Sequence, residues 1–233
     1  MSSKSSLKTF FYIGLEKLSL LVFEGINKKI FEKELLIAKD IERQDLDILI
    51  DNFFGENIMK AEKKINSFIN EIDLITFSNF LLIEASIKKK RTGNKIDKRD
   101  LNHMLFELKQ QIKENNIDKT ITHMRIKSFL LDKKKYLTLE DNFECSELCL
   151  QIDFVCLPNK IIFDLSKKIK KYHVNIDKIF SAKYLKEYQN GDTNNVTLIA
   201  ARLKYDRDEN EVHLIKKNKE NTGFFERFFK FFN

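Results

Sequence analysis

The sequence predicts a chain of the mixed α+β or α/β class, and three observations carry that prediction. Strand-like and helix-like stretches follow one another in the order strands, helix, strands, helix. Hydrophobic residues make up 42% and charged residues 33%, the balance of a globular protein rather than a disordered one. Only six glycines and one proline are present, which argues against collagen-like repeats, long flexible linkers and a loop-rich sandwich. At 233 residues the chain has room for one sizeable domain, or two small ones sharing a core.

The first segment reads as two strands. Phe10–Phe23 is mostly apolar, Gly25-Ile26-Asn27 is a turn signal, and Lys29–Ile37 supplies the return strand. A helix is expected after Gly55, with Ile58, Ala61, Ile65, Phe68, Ile69 and Ile72 on one face. Asn79–Ser86 has the length of a strand and leads into the basic tract Lys88–Arg91 and the turn Thr92-Gly93-Asn94. Asp97 is the expected N-cap of a second helix carrying Leu101, Met104, Leu105, Leu108 and Ile112 at helical spacing. Met124, Ile126 and Leu130 alternate with Arg125 and Lys127, as in a half-buried strand. Leu148, Leu150, Ile152, Phe154 and Cys156 repeat that period. Pro158-Asn159 opens a helix whose apolar face is Ile161, Ile162, Leu165 and Ile169, with Lys167, Lys168, Lys170 and Lys171 outward. Ile176–Phe180 reads as one more strand. Beyond Tyr188 come a polar loop, the strand-like or helical piece Val196–Leu203, and a charged, polar tether.

Composition narrows function without defining it. No apolar run reaches the ~20 residues of a spanning helix, and the short patch Phe10–Ile13 does not suit a cleaved signal peptide, so a cytosolic protein is expected. The net charge of +7 is compatible with nucleic acid or an anionic membrane, but abundant Lys, Asn, Ile and Phe together also fit AT-rich coding. Cys145, Cys149 and Cys156 suit reduced thiols better than a disulfide scaffold. Cys145 and Cys149 lack two further zinc ligands at usable spacing, so no metal is expected. His103, His123, His173 and His213 show no metal spacing, and His103 and His123 read as surface positions. The glycines never come closer than eleven residues, too far apart for a phosphate-cradling loop or a dinucleotide fingerprint. No catalytic residues are expected.

The last eleven residues stand apart. On a helix at ~100° per residue, Phe224, Phe225, Phe228, Phe229, Phe231 and Phe232 fill one arc of ~160°, while Glu226, Arg227 and Lys230 take the opposite arc. Such a face needs cover. It can dock on the protein's own core, or lie in a membrane interface with its basic residues towards anionic headgroups. Five Lys/Arg against two Glu from Lys216 onward favour the membrane. The expected membrane-binding residues are Phe224, Phe225, Arg227, Phe228, Phe229, Lys230, Phe231 and Phe232.

With these residues assembled, the chain resembles the bacterial cell-division protein FtsA family. Tyr12-Ile13-Gly14-Leu15-Glu16 looks like that family's first strand and the start of its first phosphate loop. Glu84–Leu157 resembles its inserted subdomain, and Pro158–Leu185 the return to its first subdomain, notably Lys171–Phe180. Asn210–Ile215 and Gly223–Phe229 resemble the family's end. The resemblance implies a partial actin-like (ribonuclease H-like) subdomain over 7–84 and 158–188, and an inserted small α+β, SHS2-like subdomain over 85–157. A polar linker over 189–222 and an amphipathic membrane-targeting helix over 223–233 complete it. The second actin-like half has no counterpart, which implies a truncated or degenerate member.

The nucleotide site implied by the family survives only as a remnant, Gly14, Glu16 and Ser19. Leu18 stands where a glycine is needed, and the second phosphate loop is missing. No cofactor is therefore expected, ATP included, and no enzymatic activity. The implied partners are anionic inner-membrane lipids, divisome proteins reached through the inserted subdomain, and further copies of the chain. FtsZ is the least supported of them, since the half that receives its tail is missing. The implied location is the cytoplasmic face of the inner membrane, peripheral, at the division site. The alternative is a basic nucleic-acid-binding or general interaction module, using Lys88–Arg91 and Lys167–Lys171, whose C-terminal helix docks on its own core. No aromatic platform accompanies those lysines, so nucleic acid is not an expected partner.

Overall fold

In a computed structural model, the structure describes residues 7–25, 28–78, 80–90, 95–96, 98–139, 144–187, 195–205 and 212. The expected N-cap Asp97, the turn at 92–94, His213, most of the linker and the whole 223–233 helix lie outside these residues.

Two sheets organise the chain. The first has the order β3-β2-β1-β4-β9. Strands β1 (Leu7–Ile13), β2 (Lys17–Glu24) and β3 (Lys28–Leu36) form an antiparallel meander, and β4 (Glu71–Thr76) and β9 (Asn175–Ser181) continue it in parallel. Helices α1 (Arg43–Ile65) and α3 (Asn159–Lys170) cover one face, and α4 (Ala182–Lys186) and α5 (Val196–Tyr205) cover the other. The central strands are apolar on both faces for this reason. Phe11 and Ile13 enter the core under α1 and α3, while Phe10 and Tyr12 enter the core under α4 and α5.

The second sheet is antiparallel, with order β5-β8-β6-β7. It consists of β5 (Leu81–Lys90), β6 (Lys119–Leu131), β7 (Lys134–Tyr136) and β8 (Glu147–Pro158). Helix α2 (Lys98–Asn115) lies on one face, burying Met104, Leu108 and Ile112 against Met124, Leu150 and Phe154. The C-terminal end of β8 ties the two bodies together, since Val155 packs in one core of the first sheet and Leu157 in the other.

Several expected elements need correction. The run Phe10–Phe23 is two strands, folded at Gly14-Leu15-Glu16 and paired from Leu7↔Glu24 to Ile13↔Leu18. Burial on both faces erased the alternation that would have marked the turn. The helix expected after Gly55 begins twelve residues earlier, at Arg43, and carries Ile50, Phe53 and Phe54 inward. Gly55 lies within it because a Cβ there would sit 2.5 Å from the ring of Tyr172. The helix stops at Asn66, whose left-handed backbone (φ 51°) lets its N–H reach the Glu62 carbonyl. Phe68 is consequently 84% exposed, and Ile72 belongs to β4.

In β6 a bulge between Ile126 and Ser128 resets the alternation. Phe129 and Leu131 are buried there, and Leu130 only half-buried. Val196–Leu203 is helical, within α5.

Candidate functional site

The first hairpin holds the remnant singled out in the sequence. Gly14 N–H donates to the Lys17 carbonyl at 2.9 Å, so the turn is closed on itself. Leu18 is fully buried and pairs with Ile13, and Ser19 is 2% exposed opposite Tyr12. Glu16 is exposed, and its carbonyl accepts from Ile37 N–H at 2.8 Å. The ring of Tyr12 lies over Gly14, with ring atoms 2.5–2.7 Å from where a Cβ would be. Burial and the nearby Glu16 push the Tyr12 phenol above its ordinary pKa. Beside this turn a recess of about 600 Å³ is lined by Tyr12, Lys17, Ser19, Glu34, Lys186 and Thr197.

A second concavity opens between the two sheets. It holds about 530 Å³ and is lined by Thr120, Ile121 and Thr122 of β6, Ile176 to Ile179 of β9, Ile162 and Ser166 of α3, and Lys204. On its wall Lys204 Nζ lies 2.6 and 2.7 Å from the two carboxylate oxygens of Asp73, and 2.7 Å from Asp177. Asp73 sits in the middle of β4 and is 3% exposed. Its burial raises the carboxyl pKa, and the Lys204 ammonium draws it back down. The ion pair fastens α5 to the sheet. No sequence signal marks it, because its members are 131 positions apart.

His123 corrects a further expectation. It is 1% exposed rather than on a strand's polar face, and its ring stacks on Tyr184 at 4.3 Å between centroids. Its Nε2 accepts the Ser181 N–H at 3.3 Å. A bulge at Thr122, between Ile121 and His123, swings the imidazole out of the alternation and onto the first body. His103 is exposed, as expected.

The remaining candidates are dispersed. Cys145 and Cys156 are buried and Cys149 half-buried, all as free thiols. Among the described residues no three His, Cys, Asp or Glu come close enough to hold a metal ion. Lysines of both basic tracts are ion-paired within the chain: Lys88 with Glu147, Lys89 with Glu107, Lys168 with Asp47 and Lys171 with Asp51. Among the described residues no helix is long and apolar enough to cross a membrane. The expected membrane-binding residues Phe224 to Phe232 lie outside the described residues.

The three-stranded meander, the helix after it and the two parallel strands define a mixed α/β chain with two sheet-and-helix bodies. Comparison with known proteins gives no matching family model and no matching curated protein. Among solved structures, the chain is similar over 79% of its length to 49% of a chain of a PilM–PilN type IV pilus biogenesis complex, at 8% identity and a TM-score of 0.42. It is likewise similar, over 79% of its length and 56% of the other chain, to a protein with an actin-like ATPase fold and unknown function from Bacteroides thetaiotaomicron. Identity there is 12% and the TM-score 0.32. The chain thus spans about half the length of the solved structures it matches.

Proposed function

We propose that this chain is a non-enzymatic adaptor of the FtsA type, attached to the cytoplasmic face of a membrane by its 223–233 segment. The observation that carries the reading is the segregation of six phenylalanines from Arg227, Lys230 and Glu226 over the last eleven residues. If each ring contributes about 1 kcal/mol on partial burial, the face yields several kcal/mol, enough for reversible attachment. Assembly of several copies would strengthen it.

Several features of the body favour an adaptor over an ATPase. Phosphate binding at a first β-hairpin needs backbone N–H groups free to face the anion. Here the Gly14 N–H is spent on Lys17, Leu18 is buried, and the Tyr12 ring occupies the approach to Gly14. The second sheet with α2, read as the SHS2-like insertion, is the surface assigned to divisome partners and to further copies of the chain. The self-paired lysines of both basic tracts weigh against the nucleic-acid alternative.

Imaging a fluorescent fusion in dividing cells tests the reading. The expected result is a band at the division site that becomes diffuse when 223–233 is deleted. A fusion that is diffuse, or spread along the nucleoid, with the tail intact would contradict it.

A further inference from the structure

Strand β5 is the outer strand of the second sheet. It pairs with β8 over all of its length, from Leu81↔Cys156 to Lys90↔Glu147, without a bulge. Among the described residues no strand lies on its other side. One row of its backbone N–H and C=O groups therefore points outward, where a further strand can add. Leu81 and Leu82 at the start of this edge are 41% and 51% exposed.

We infer that the outer edge of β5 pairs antiparallel with β5 of a second copy of the chain, joining two second sheets into one continuous sheet. The sequence of the strand selects both the occupant and the register. A two-fold axis pairs residue i with j and j with i. Directly opposite residues point to the same face, and neighbours along a strand do not, so the axis must pass through a residue rather than between two. Centred on Glu84, the pairing sets two carboxylates against each other. Centred on Ala85, it leaves Glu84 opposite a serine. Centred on Ser86, it runs from Leu82 to Lys90 and places Glu84 of each copy opposite Lys88 of the partner subunit.

Both side chains reach well into solvent, Glu84 at 64% and Lys88 at 58% exposed, beyond their contacts to Lys127 and Glu147 within the chain. Lysines on an edge strand deter indiscriminate pairing, and a parallel, in-register partner would stack Lys88, Lys89 and Lys90 on themselves. In the register centred on Ser86 they fall instead opposite Glu84, Ile83 and Leu82, whose apolar side chains the lysine stems cover. Strand β3, at the edge of the first sheet, offers no such fit. A bulge interrupts its ladder, and registers centred on Phe31, Glu32 or Lys33 oppose like charges. The pair supplies the further copies that the adaptor reading calls for, and its use at a membrane rests on that reading: two 223–233 segments on one assembly hold more tightly than one.

Disulfide trapping in the full chain without lipid tests the pairing and its register. In a Cys149→Ser background, Ser86→Cys sets two thiols directly across the axis, at the ~5 Å Cα separation that a disulfide spans. Glu84→Cys sets them roughly 13 Å apart along the strand, out of reach. Mild oxidation is expected to yield at least ~10-fold more covalent dimer from Ser86→Cys than from Glu84→Cys. In sedimentation equilibrium the unaltered chain is expected to be mostly dimer at ~100 μM. Glu84→Lys, which opposes like charges twice, is expected to raise the dissociation constant about 10-fold without lowering the melting temperature. Equal trapping of the two thiols, a monomer at that concentration, or an unchanged constant in Glu84→Lys would overturn the inference. A trapped dimer that ignores anionic liposomes would count against the proposed function and leave the pairing standing.

Discussion

Replacing Lys204 with methionine removes the cation from a carboxylate that has almost no access to water. Asp73 is 3% exposed, and both of its oxygens lie within 2.7 Å of the lysine nitrogen. Breaking a buried ion pair by deleting one partner costs about 3–5 kcal/mol when the remaining charge is sealed in. Lys204 keeps 19% of its side-chain surface exposed and lines the cleft, so water reaches one side of the site. The expected loss near neutral pH is therefore smaller, about 2–3 kcal/mol.

The pH dependence has a definite sign. Burial already raises the Asp73 pKa, and Lys204 is the main influence lowering it, so the variant's carboxyl moves further up. A group whose folded pKa exceeds its unfolded value supports folding below the unfolded value and loses that support as pH rises through the folded one. The deficit of Lys204→Met should therefore be larger at about pH 7.5 than at about pH 4.5, because Asp73 takes up a proton more readily as the pH falls. Urea unfolding followed by circular dichroism at both pH values measures it. Adding Asp73→Leu should recover most of the loss, because no sealed-in charge is then left without Lys204, and Asp177, its other partner, is open to water. A deficit below about 0.5 kcal/mol, or one of equal size at both pH values, would refute the reasoning.

Three further outcomes follow from the same geometry. Gly55→Ala should lower stability by about 1 kcal/mol, since displacing the Tyr172 ring costs more than the helix-propensity gain of ~1 kcal/mol returns. Urea midpoints of Gly55→Ala, with and without Tyr172→Ala, check this. Under a chromogenic thiol reagent near pH 8, half-buried Cys149 should react before Cys145 and Cys156. Burial pushes the Cys156 thiol up to about 11, so its reaction should await unfolding. Calorimetry with magnesium and ATP should show no saturable binding. Binding tighter than ~100 μM that is lost in Glu16→Ala would contradict the proposed closure of the first hairpin.

What the sequence made legible was the part built on simple periods. Helix α2 carries Leu101, Met104, Leu105, Leu108 and Ile112 on one stripe, and β8 alternates from Leu148 to Cys156. Each of these sets buries against one core, so sequence period and structure coincide, and β8 departs from it only at Val155, which turns to the first sheet. The centre of the first sheet was harder, because both its faces are covered. With Leu18, Leu20, Leu21 and Val22 all inward, a continuous apolar run hid the turn at Gly14.

Gly55 misled for a related reason. Its small size answers a ring 117 positions further along the chain, not a local turn. The cleft was invisible altogether. Thr120, Thr122, Asp177 and Lys204 line it only because β6, β9 and α5 converge, and nothing near any of them in sequence signals it. The arc of phenylalanines over 223–233 is a property of spacing alone, and those residues lie outside the described ones.

Attachment to a lipid surface through that tail is the central claim, and co-sedimentation with anionic liposomes tests it most directly. The full chain should pellet with vesicles containing anionic lipid, and the chain lacking 223–233 should stay in the supernatant with an unchanged melting temperature. Phe228→Asp, at the centre of the arc, should release the protein nearly as fully as the deletion, and raised salt should weaken binding only in part, because the rings outweigh the charges. A deletion variant that melts lower while the full chain ignores the liposomes would contradict the account, and would place the phenylalanine face on the protein's own core.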